Sequence, residues 1–138
     1  MIDDFSRCMV SNSRMAARAI TRRYEKCLRG FGMTATQLSL MGALAMTPGR
    51  TITELADDRG FERTTLTRNL DLLEKQGLVA SKPATRGNGR ICAITAEGEL
   101  LIAQLLPAWR TAQAEMKQLL SEQGFDDALA TLKRLARV

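Results

Sequence analysis

The most constraining feature of the chain is a helix, a glycine turn, a second helix and a hairpin that follow one another between residues 51 and 95. The second helix carries Leu66, Leu70 and Leu73 at i, i+4 and i+7, which is one apolar stripe of an α-helix. A short helix precedes it, and Gly60 supplies the break that lets the second helix leave at a steep angle. Two helices joined in this way predict a helix-turn-helix, whose second member can enter a DNA major groove.

The polar face of this second helix, predicted for about residues 63–76, combines short hydroxyls with cations. Helix N-termini carry partial positive charge and unpaired N–H groups, which suit a phosphate-lined groove. Arginine can bond guanine through two N–H groups, and threonine can contact a phosphate, a base edge or a thymine methyl. The candidate DNA contacts on this helix are Arg63, Thr64, Thr65, Thr67, Arg68 and Lys75. The alternative is structural: Thr64 would cap the helix and Arg68 would pair with Asp71 on the surface.

A β-hairpin is predicted next, because two short apolar runs flank the pair Asn88-Gly89. Asn-Gly favours a type I′ turn, which requires positive φ at both central residues. The tip carries Arg86 and Arg90 and no acidic residue. A basic hairpin beside a recognition helix is a wing, and we expect its arginines to reach phosphates or the narrow minor groove.

The chain resembles the multiple antibiotic resistance regulator (MarR) family in the run ELADDRGFERTTLTRNLDLLEKQGLV, in TATQLSLMGAL before it and in ICAITAEGELLI after it. The resemblance covers nearly the whole chain, and TTLTRNL is its most specific piece. It implies a homodimeric repressor that binds palindromic double-stranded DNA. The family wing usually holds an Asp and an Arg two residues apart, whereas this chain has Arg86 and Asn88 there. Both Arg86 and Arg90 are therefore candidate wing contacts.

Positive charge is concentrated on the predicted reading elements and on the first helix. The chain has 20 Lys and Arg against 15 Asp and Glu, with a sequence pI near 9.6. Residues 63–95 hold six basic and two acidic side chains and residues 1–33 hold seven and three, whereas residues 96–138 hold five and six. This distribution is typical of a polyanion binder, although a solvated basic surface would have the same total charge.

The sequence lacks the residue combinations that most catalytic and metal sites need. Histidine is absent, which excludes most serine and cysteine hydrolase triads and histidine-ligated metal sites. The three cysteines form no CxxC pair, which argues against a zinc site and a disulfide framework. We therefore expect no enzyme activity and no cofactor. No apolar run is long enough to span a membrane and the start MIDDFSRC has no apolar signal core, so we expect a cytoplasmic protein.

Long amphipathic helices are predicted at both ends of the chain. The first spans about residues 2–30, and the last major helix begins at Thr95 and is followed by a shorter one. An apolar stripe as long as that of the first helix needs another surface in a small protein, and a partner subunit would provide it. The predicted organisation is an N-terminal dimerisation helix in 1–33, a winged helix-turn-helix DNA-binding domain in 34–95 and C-terminal dimerisation helices in 96–138.

A buried helix is predicted between the first helix and the helix-turn-helix. Thr34 can accept a hydrogen bond from the N–H of Gln37, whose side chain can reach back, and this pair is a capping box. The helix that follows, to about residue 46, is apolar almost all round, which indicates burial. Gly77 is the expected C-terminal cap of the recognition helix.

Two further hypotheses concern regulation. Met15, Met33, Met41 and Trp109 are candidates to line a cavity between the dimer helices and the reading domain, where family members often bind aromatic acids; at helical spacing such residues are also typical of a core. Cys8 is a candidate redox sensor, because the resemblance extends to organic hydroperoxide regulators that sense oxidants through a cysteine in this helix. Sensing requires a lowered pKa and some exposure, whereas burial as a small apolar side chain is the ordinary role of cysteine.

The sequence thus predicts a mainly α fold with a small β-hairpin wing, a winged helix-turn-helix with N- and C-terminal dimerisation helices. The predicted function is transcription regulation as a homodimer on double-stranded DNA, with a small aromatic effector as a possible partner. Two alternatives stay open: thiol-based sensing through Cys8, and a winged-helix protein-interaction module that does not bind DNA.

Overall fold

The computed structural model describes residues 2–137, which form six α-helices and one antiparallel pair of strands. The elements are α1 (Met9–Leu28), α2 (Ala35–Met46), α3 (Ile52–Arg59), α4 (Arg63–Lys75), β1 (Val79–Pro83), β2 (Arg90–Ile94), α5 (Ala96–Leu120) and α6 (Glu122–Leu135). The predicted mainly α fold with a hairpin wing is confirmed. No helix within residues 2–137 is long and apolar enough to cross a membrane.

The first helix begins later than its apolar pattern predicts. A 3-10 turn spans Phe5–Arg7, Cys8 has extended backbone, and α1 starts at Met9. The Asp4 carboxylate accepts a hydrogen bond from the Ser6 N–H at 3.1 Å, which stabilises the tight turn instead of a continuous helix. The prediction of one helix from residue 2 is therefore wrong for its first turns.

Helices α2 and α3 both begin with capping boxes. The Gln37 N–H donates to Thr34 Oγ1 at 3.2 Å and the Thr34 N–H donates to Gln37 Oε1 at 3.1 Å, as predicted. The same exchange joins Thr51 and Glu54 at the start of α3. These reciprocal bonds pair N–H groups that the first turn of a helix cannot satisfy internally.

The core lies where α2, α3, α4 and the hairpin meet. The predicted stripe of α4 faces it, since Leu66, Leu70 and Leu73 are at most 1% exposed. On α2, Leu40 and Met41 are fully buried, which confirms that this helix is central. One face of α4 is thereby committed to the protein interior, and the opposite face is left to solvent.

The hairpin is fixed to the end of α4. Gly77 adopts positive φ, and the Leu78 N–H donates to the Leu73 carbonyl at 3.0 Å, so the predicted glycine cap is confirmed. The strands pair from Val79 opposite Ile94 to Pro83 opposite Arg90. Six residues therefore connect them.

The connection between the strands is not the predicted two-residue turn. The Ala84 N–H donates to the Gly89 carbonyl at 2.7 Å, and the positive φ in this loop belongs to Gly87, not to Asn88. The prediction of a type I′ Asn-Gly turn is wrong because strand pairing stops at Pro83, which leaves a wider loop with its left-handed residue at a glycine.

Helix α5 starts in close contact with the base of the hairpin. A Cβ on Gly98 would lie 2.2 Å from the Leu78 carbonyl oxygen, so this position requires glycine. The Thr95 hydroxyl donates to the Gly77 carbonyl at 2.6 Å and accepts from the Gly98 N–H at 3.1 Å. These contacts fix the direction in which α5 leaves the hairpin and runs back along α1.

Candidate functional site

The exposed side of α4 opposite the leucine stripe forms a continuous surface, which we call the outer face. Successive residues of an α-helix are rotated by about 100° around its axis, and this spacing decides which residues belong to the outer face. The outer face is lined by Arg63, Thr64, Thr67, Arg68, Asp71, Leu72 and Lys75. Five of the six predicted contacts on this helix are therefore brought together.

The cations of the outer face are not engaged within the chain. Among the ion pairs of residues 2–137, none involves Arg63, Arg68 or Lys75. The Asp71 carboxylate instead lies 3.4 Å from Arg90 Nη1. The alternative in which Arg68 pairs with Asp71 is not observed. The outer face therefore offers three unpaired cations to a polyanion.

The start of α4 is capped by Glu62, a residue that sequence reasoning missed. Its carboxylate accepts the Thr64 N–H at 3.1 Å, the Thr65 N–H at 2.9 Å and the Thr65 hydroxyl at 2.6 Å. These bonds, with that of the Thr65 hydroxyl the strongest, lower the pKa of Glu62 to about 2. The prediction that unpaired N–H groups face a phosphate here is wrong for these two threonines. Thr65 lies apart from the outer face, and its hydroxyl serves the cap.

The two wing arginines occupy different positions. Arg86 is exposed in the loop between the strands, whereas Arg90 is half-buried at the start of β2. Arg90 Nη2 donates to Glu74 Oε2 and to Ser81 Oγ, both at 3.0 Å, and Nη1 contacts Asp71. Arg90 therefore connects the hairpin to α4. The prediction that it lies at the wing tip is wrong.

The Arg90 contacts also favour the charged form of their carboxylate partner. The Ser81 hydroxyl donates to Glu74 Oε1 at 2.7 Å. This bond, followed by the nearby Arg90 guanidinium, lowers the pKa of Glu74. The hairpin and the recognition helix are thus joined by one polar network, which sets the angle of the wing.

Leu72 is an outer-face residue that the sequence reasoning did not select. Its side chain is 45% exposed, and it lies one helical turn after Arg68. Helical spacing alone could have identified it. Its apolar side chain can contact a thymine methyl in a major groove.

A second concave surface lies between α1, α2 and α5. This cleft of about 600 Å³ is lined by Ile20, Thr21, Tyr24, Ala35, Leu38, Ser39, Met41, Gly42, Ala45, Met46, Ile102, Leu105, Leu106 and Trp109. Met41 and Trp109 line it as predicted. Met15 and Met33 do not, because Met15 is 58% exposed on α1 and Met33 is buried in the core beside the end of that helix. The volume is in the range of small-molecule sites.

The thiols differ in their surroundings, and Cys27 is half-buried near the end of α1. Cys8 is half-exposed at the N-cap of α1. The N–H of Ser11, then its hydroxyl and the N–H of Val10, lower the pKa of Cys8, although the side chain accepts no capping hydrogen bond. Cys92 is buried, and burial raises its pKa. Of these two, Cys8 is the thiol better placed for reaction.

Known proteins share both the sequence pattern and the fold. The sequence model of the MarR family matches residues 31–91. The transcriptional regulator MosR of M. tuberculosis is 31% identical, with 97% of this chain and 98% of that chain covered and a TM-score of 0.82. Its complex with DNA is 32% identical over 94% of each chain, with a TM-score of 0.83. No curated protein matches the sequence.

More distant structures show the fold alone. The transcriptional repressor CouR bound to a 23-mer DNA duplex is 23% identical over 99% of both chains, with a TM-score of 0.84. Bordetella bronchiseptica BpsR, whose DNA binding is regulated by 6-hydroxynicotinic acid, is 14% identical over 100% of this chain and 99% of its own, with a TM-score of 0.86. Family match, identity to MosR and shared fold agree, and the chain belongs to the MarR family of transcriptional regulators.

Proposed function

We propose that the protein is a homodimeric, sequence-specific DNA-binding repressor that responds to a small effector. The observation that carries the proposal is the outer face of α4, with an exposed Thr64, a half-buried Thr67 and three unpaired cations opposite a fully buried leucine stripe. A helix held in this way can enter a major groove without disturbing the core. The DNA complex of the similar regulator MosR supports this assignment.

Within this proposal the contacts divide by role. Arg68 and Thr67 lie near the middle of the outer face and would contact base edges, while Arg63 and Lys75 at its ends would contact phosphates. Arg86 would reach a phosphate or the minor groove from the wing loop. Arg90 would not contact DNA but would hold the wing against α4 through Glu74.

A second copy of the chain would complete the DNA-binding unit. Large apolar side chains are exposed near both ends: Ile2, Phe5, Met9, Val10 and Met15 at one, and Leu119, Leu120, Leu129, Leu132 and Leu135 at the other. Two copies joined through these surfaces would present two α4 helices to a palindromic site, with half-sites about one helical turn apart. Occupying such a site would exclude polymerase.

The cleft beside Trp109 is the proposed effector site. It contacts α1 and α5, which continue toward the dimer surfaces, and α2, which packs on α4. A bound molecule would therefore shift α1 and α5 relative to α4. The distance between the two α4 helices of the dimer would then no longer match that between the DNA half-sites. Two relatives of the same fold support regulation by a ligand. CouR has been seen bound to p-coumaroyl-CoA, and the DNA binding of BpsR is regulated by 6-hydroxynicotinic acid.

A second candidate, thiol-based sensing, is favoured by the half-exposed Cys8 with its lowered pKa. Cys27 lies 19 residues further along the chain, mostly in α1, so the two thiols are on the order of 25–30 Å apart. A disulfide within one protomer is thereby excluded for this pair.

Peroxide that releases DNA from the wild type but not from Cys8→Ser would establish sensing, and equal release from both would exclude it.

Binding to duplex DNA of random sequence, followed by fluorescence anisotropy across a salt series, tests the DNA-binding function. Affinity should fall linearly with salt on logarithmic axes, because each phosphate contact releases counterions. The duplex affinity and salt dependence of Arg68→Ala are compared with those of Arg134→Ala, which removes the same charge from α6. Absence of binding at low salt would contradict the proposal and favour a protein-interaction module whose basic wing docks on an acidic partner.

A further inference from the structure

We infer that the effector cleft takes an uncharged aromatic molecule with a hydrogen-bond donor, and that it discriminates against aromatic acids. The inference rests on the proposed ligand-responsive function and specifies the chemistry of its effector. Three features of the cleft lead to it: the composition of its lining, the charge at the start of α2 and the position of the Tyr24 hydroxyl.

The lining of the cleft contains no charged side chain. Its polar side-chain groups are the hydroxyls of Thr21, Tyr24 and Ser39 and the indole N–H of Trp109, and the other residues are apolar or lack a functional side chain. A carboxylate that leaves water for such a surface loses its hydration and finds no cation to replace it. An uncharged ring loses little and gains apolar contact.

Three N–H groups at the start of α2, those of Thr34, Ala35 and Gln37, are already used within the chain. Ala35 lines the cleft, and its N–H would be the natural donor to an anion at a helix N-terminus. This N–H already donates to Glu25 Oε1 at 3.2 Å. The N–H groups of Thr34 and Gln37 are also occupied, by the capping box. A second carboxylate placed here would meet the negative charge of Glu25 and no unpaired donor among these three groups.

The same cleft provides for a ring that carries a donor. The Trp109 side chain is half-buried and Met46 is exposed at the end of the facing helix α2, so a planar molecule can contact both an indole and a thioether. The Tyr24 hydroxyl donates to Gln113 Oε1. The phenol oxygen also has lone pairs that can accept a hydrogen bond from a hydroxyl or amide N–H of the ligand.

The test uses two probes of matched shape, 4-hydroxybenzamide and 4-hydroxybenzoate, which share the ring and hydroxyl but differ in charge at neutral pH. Trp109 is the single tryptophan of the chain, so quenching of its fluorescence reports occupancy of the cleft directly. We expect the amide to saturate the signal with a Kd at least about tenfold lower than that of the acid, which corresponds to about 1.4 kcal/mol. Equal affinities, tighter binding of the acid, or no quenching by either probe would overturn the inference.

Two carboxylate substitutions locate the origin of the discrimination. Glu25→Gln removes the negative charge at the start of α2 and should strengthen binding of the acid several-fold while leaving the amide nearly unchanged. Glu115→Gln removes the same charge from α5 outside the cleft and should change neither affinity. An acid affinity that Glu25→Gln leaves unaltered would contradict the electrostatic cause.

Duplex binding measured on the same protein separates this inference from the proposed function. Retained DNA binding with no preference for the amide refutes the effector class alone. Loss of DNA binding by the wild-type protein refutes the repressor function, whatever the cleft binds.

Discussion

The middle of the chain covers its apolar side chains within one protomer, whereas the two ends do not. In residues 34–95, which the structure describes throughout, the large apolar side chains left exposed are Met46 and Leu72, and each lines a candidate site. In the two ends, Phe5 is 69% exposed and Leu132 is 53% exposed, and neither lines such a site.

This difference separates what one chain can do from what needs two. Residues 34–95 have their own core, so a single chain is sufficient to form the outer face of α4. Exposed apolar stripes on end helices are stable in water only when another surface covers them. The predictions below test this division, beginning with the contact between protomers and ending with one helix cap.

Disrupting the ends should have the largest effect. Leu132→Glu places a charge on the exposed stripe of α6, so we expect a dimer to dissociate to monomers. Because two linked half-sites bind far more tightly than one, operator affinity should fall by about 100-fold or more. Light scattering after gel filtration measures the mass, and anisotropy measures the affinity. Ala130→Glu, on the opposite side of the same helix, is the control, and a dimer that survives Leu132→Glu would contradict the division.

Substituting the middle of the outer face should have the next largest effect. Arg68→Ala is expected to cost about 1–3 kcal/mol of operator binding and to relax specificity at one base position, because the guanidinium makes no ion pair within the protomer. A gel-shift titration on operator and single-base variants measures both effects. An unchanged operator affinity would remove Arg68 from the interface.

The wing loop should contribute less and without sequence preference. Arg86→Ala is expected to weaken binding to all duplexes similarly and to reduce the salt slope by about 0.9, the value for one phosphate contact. Arg90→Ala should behave differently, since loss of its bonds to Glu74 and Ser81 releases the wing from α4. If the two substitutions change the salt slope equally, the proposed distinction between contact and support is wrong.

The smallest effect concerns the cap of α4. The folded-state pKa of Glu62 is about 2, below the ordinary value of 4.5, so its contribution is fully present above pH 4.5 and is lost as pH falls toward 2. Thermal unfolding of Glu62→Gln should therefore change less across this range than that of the wild type. Thr65→Val, which removes the shortest bond to Glu62, should give an intermediate profile. Identical profiles for Glu62→Gln and the wild type would contradict the cap.

Local spacing predicted much of the fold. The leucine stripe of α4, the capping box at Thr34 and the glycine end at Gly77 each depend on residues within one or two turns, and all three are confirmed. The same periodicity predicted the outer face, because burying the leucine stripe of α4 leaves the residues on the other side of the helix exposed.

The remainder depends on contacts between distant parts of the chain. Arg90 meets Glu74 only because the strands place it beside α4, sixteen residues away in sequence. Met15 and Met33 have suitable side chains for a cleft, but Met15 is exposed on α1 and Met33, beyond the end of that helix, packs in the core. Glu62 was missed because glutamate is not among the preferred N-cap residues, although its carboxylate reaches two N–H groups here.

Selection of bound sequences from random duplex DNA tests the central claim most directly, because it reports contact, symmetry and spacing together. Two copies of the outer face of α4, related by a twofold axis, should enrich one palindromic consensus whose half-sites lie about one helical turn apart. Recovery of no consensus, or of a single asymmetric half-site, would contradict the account.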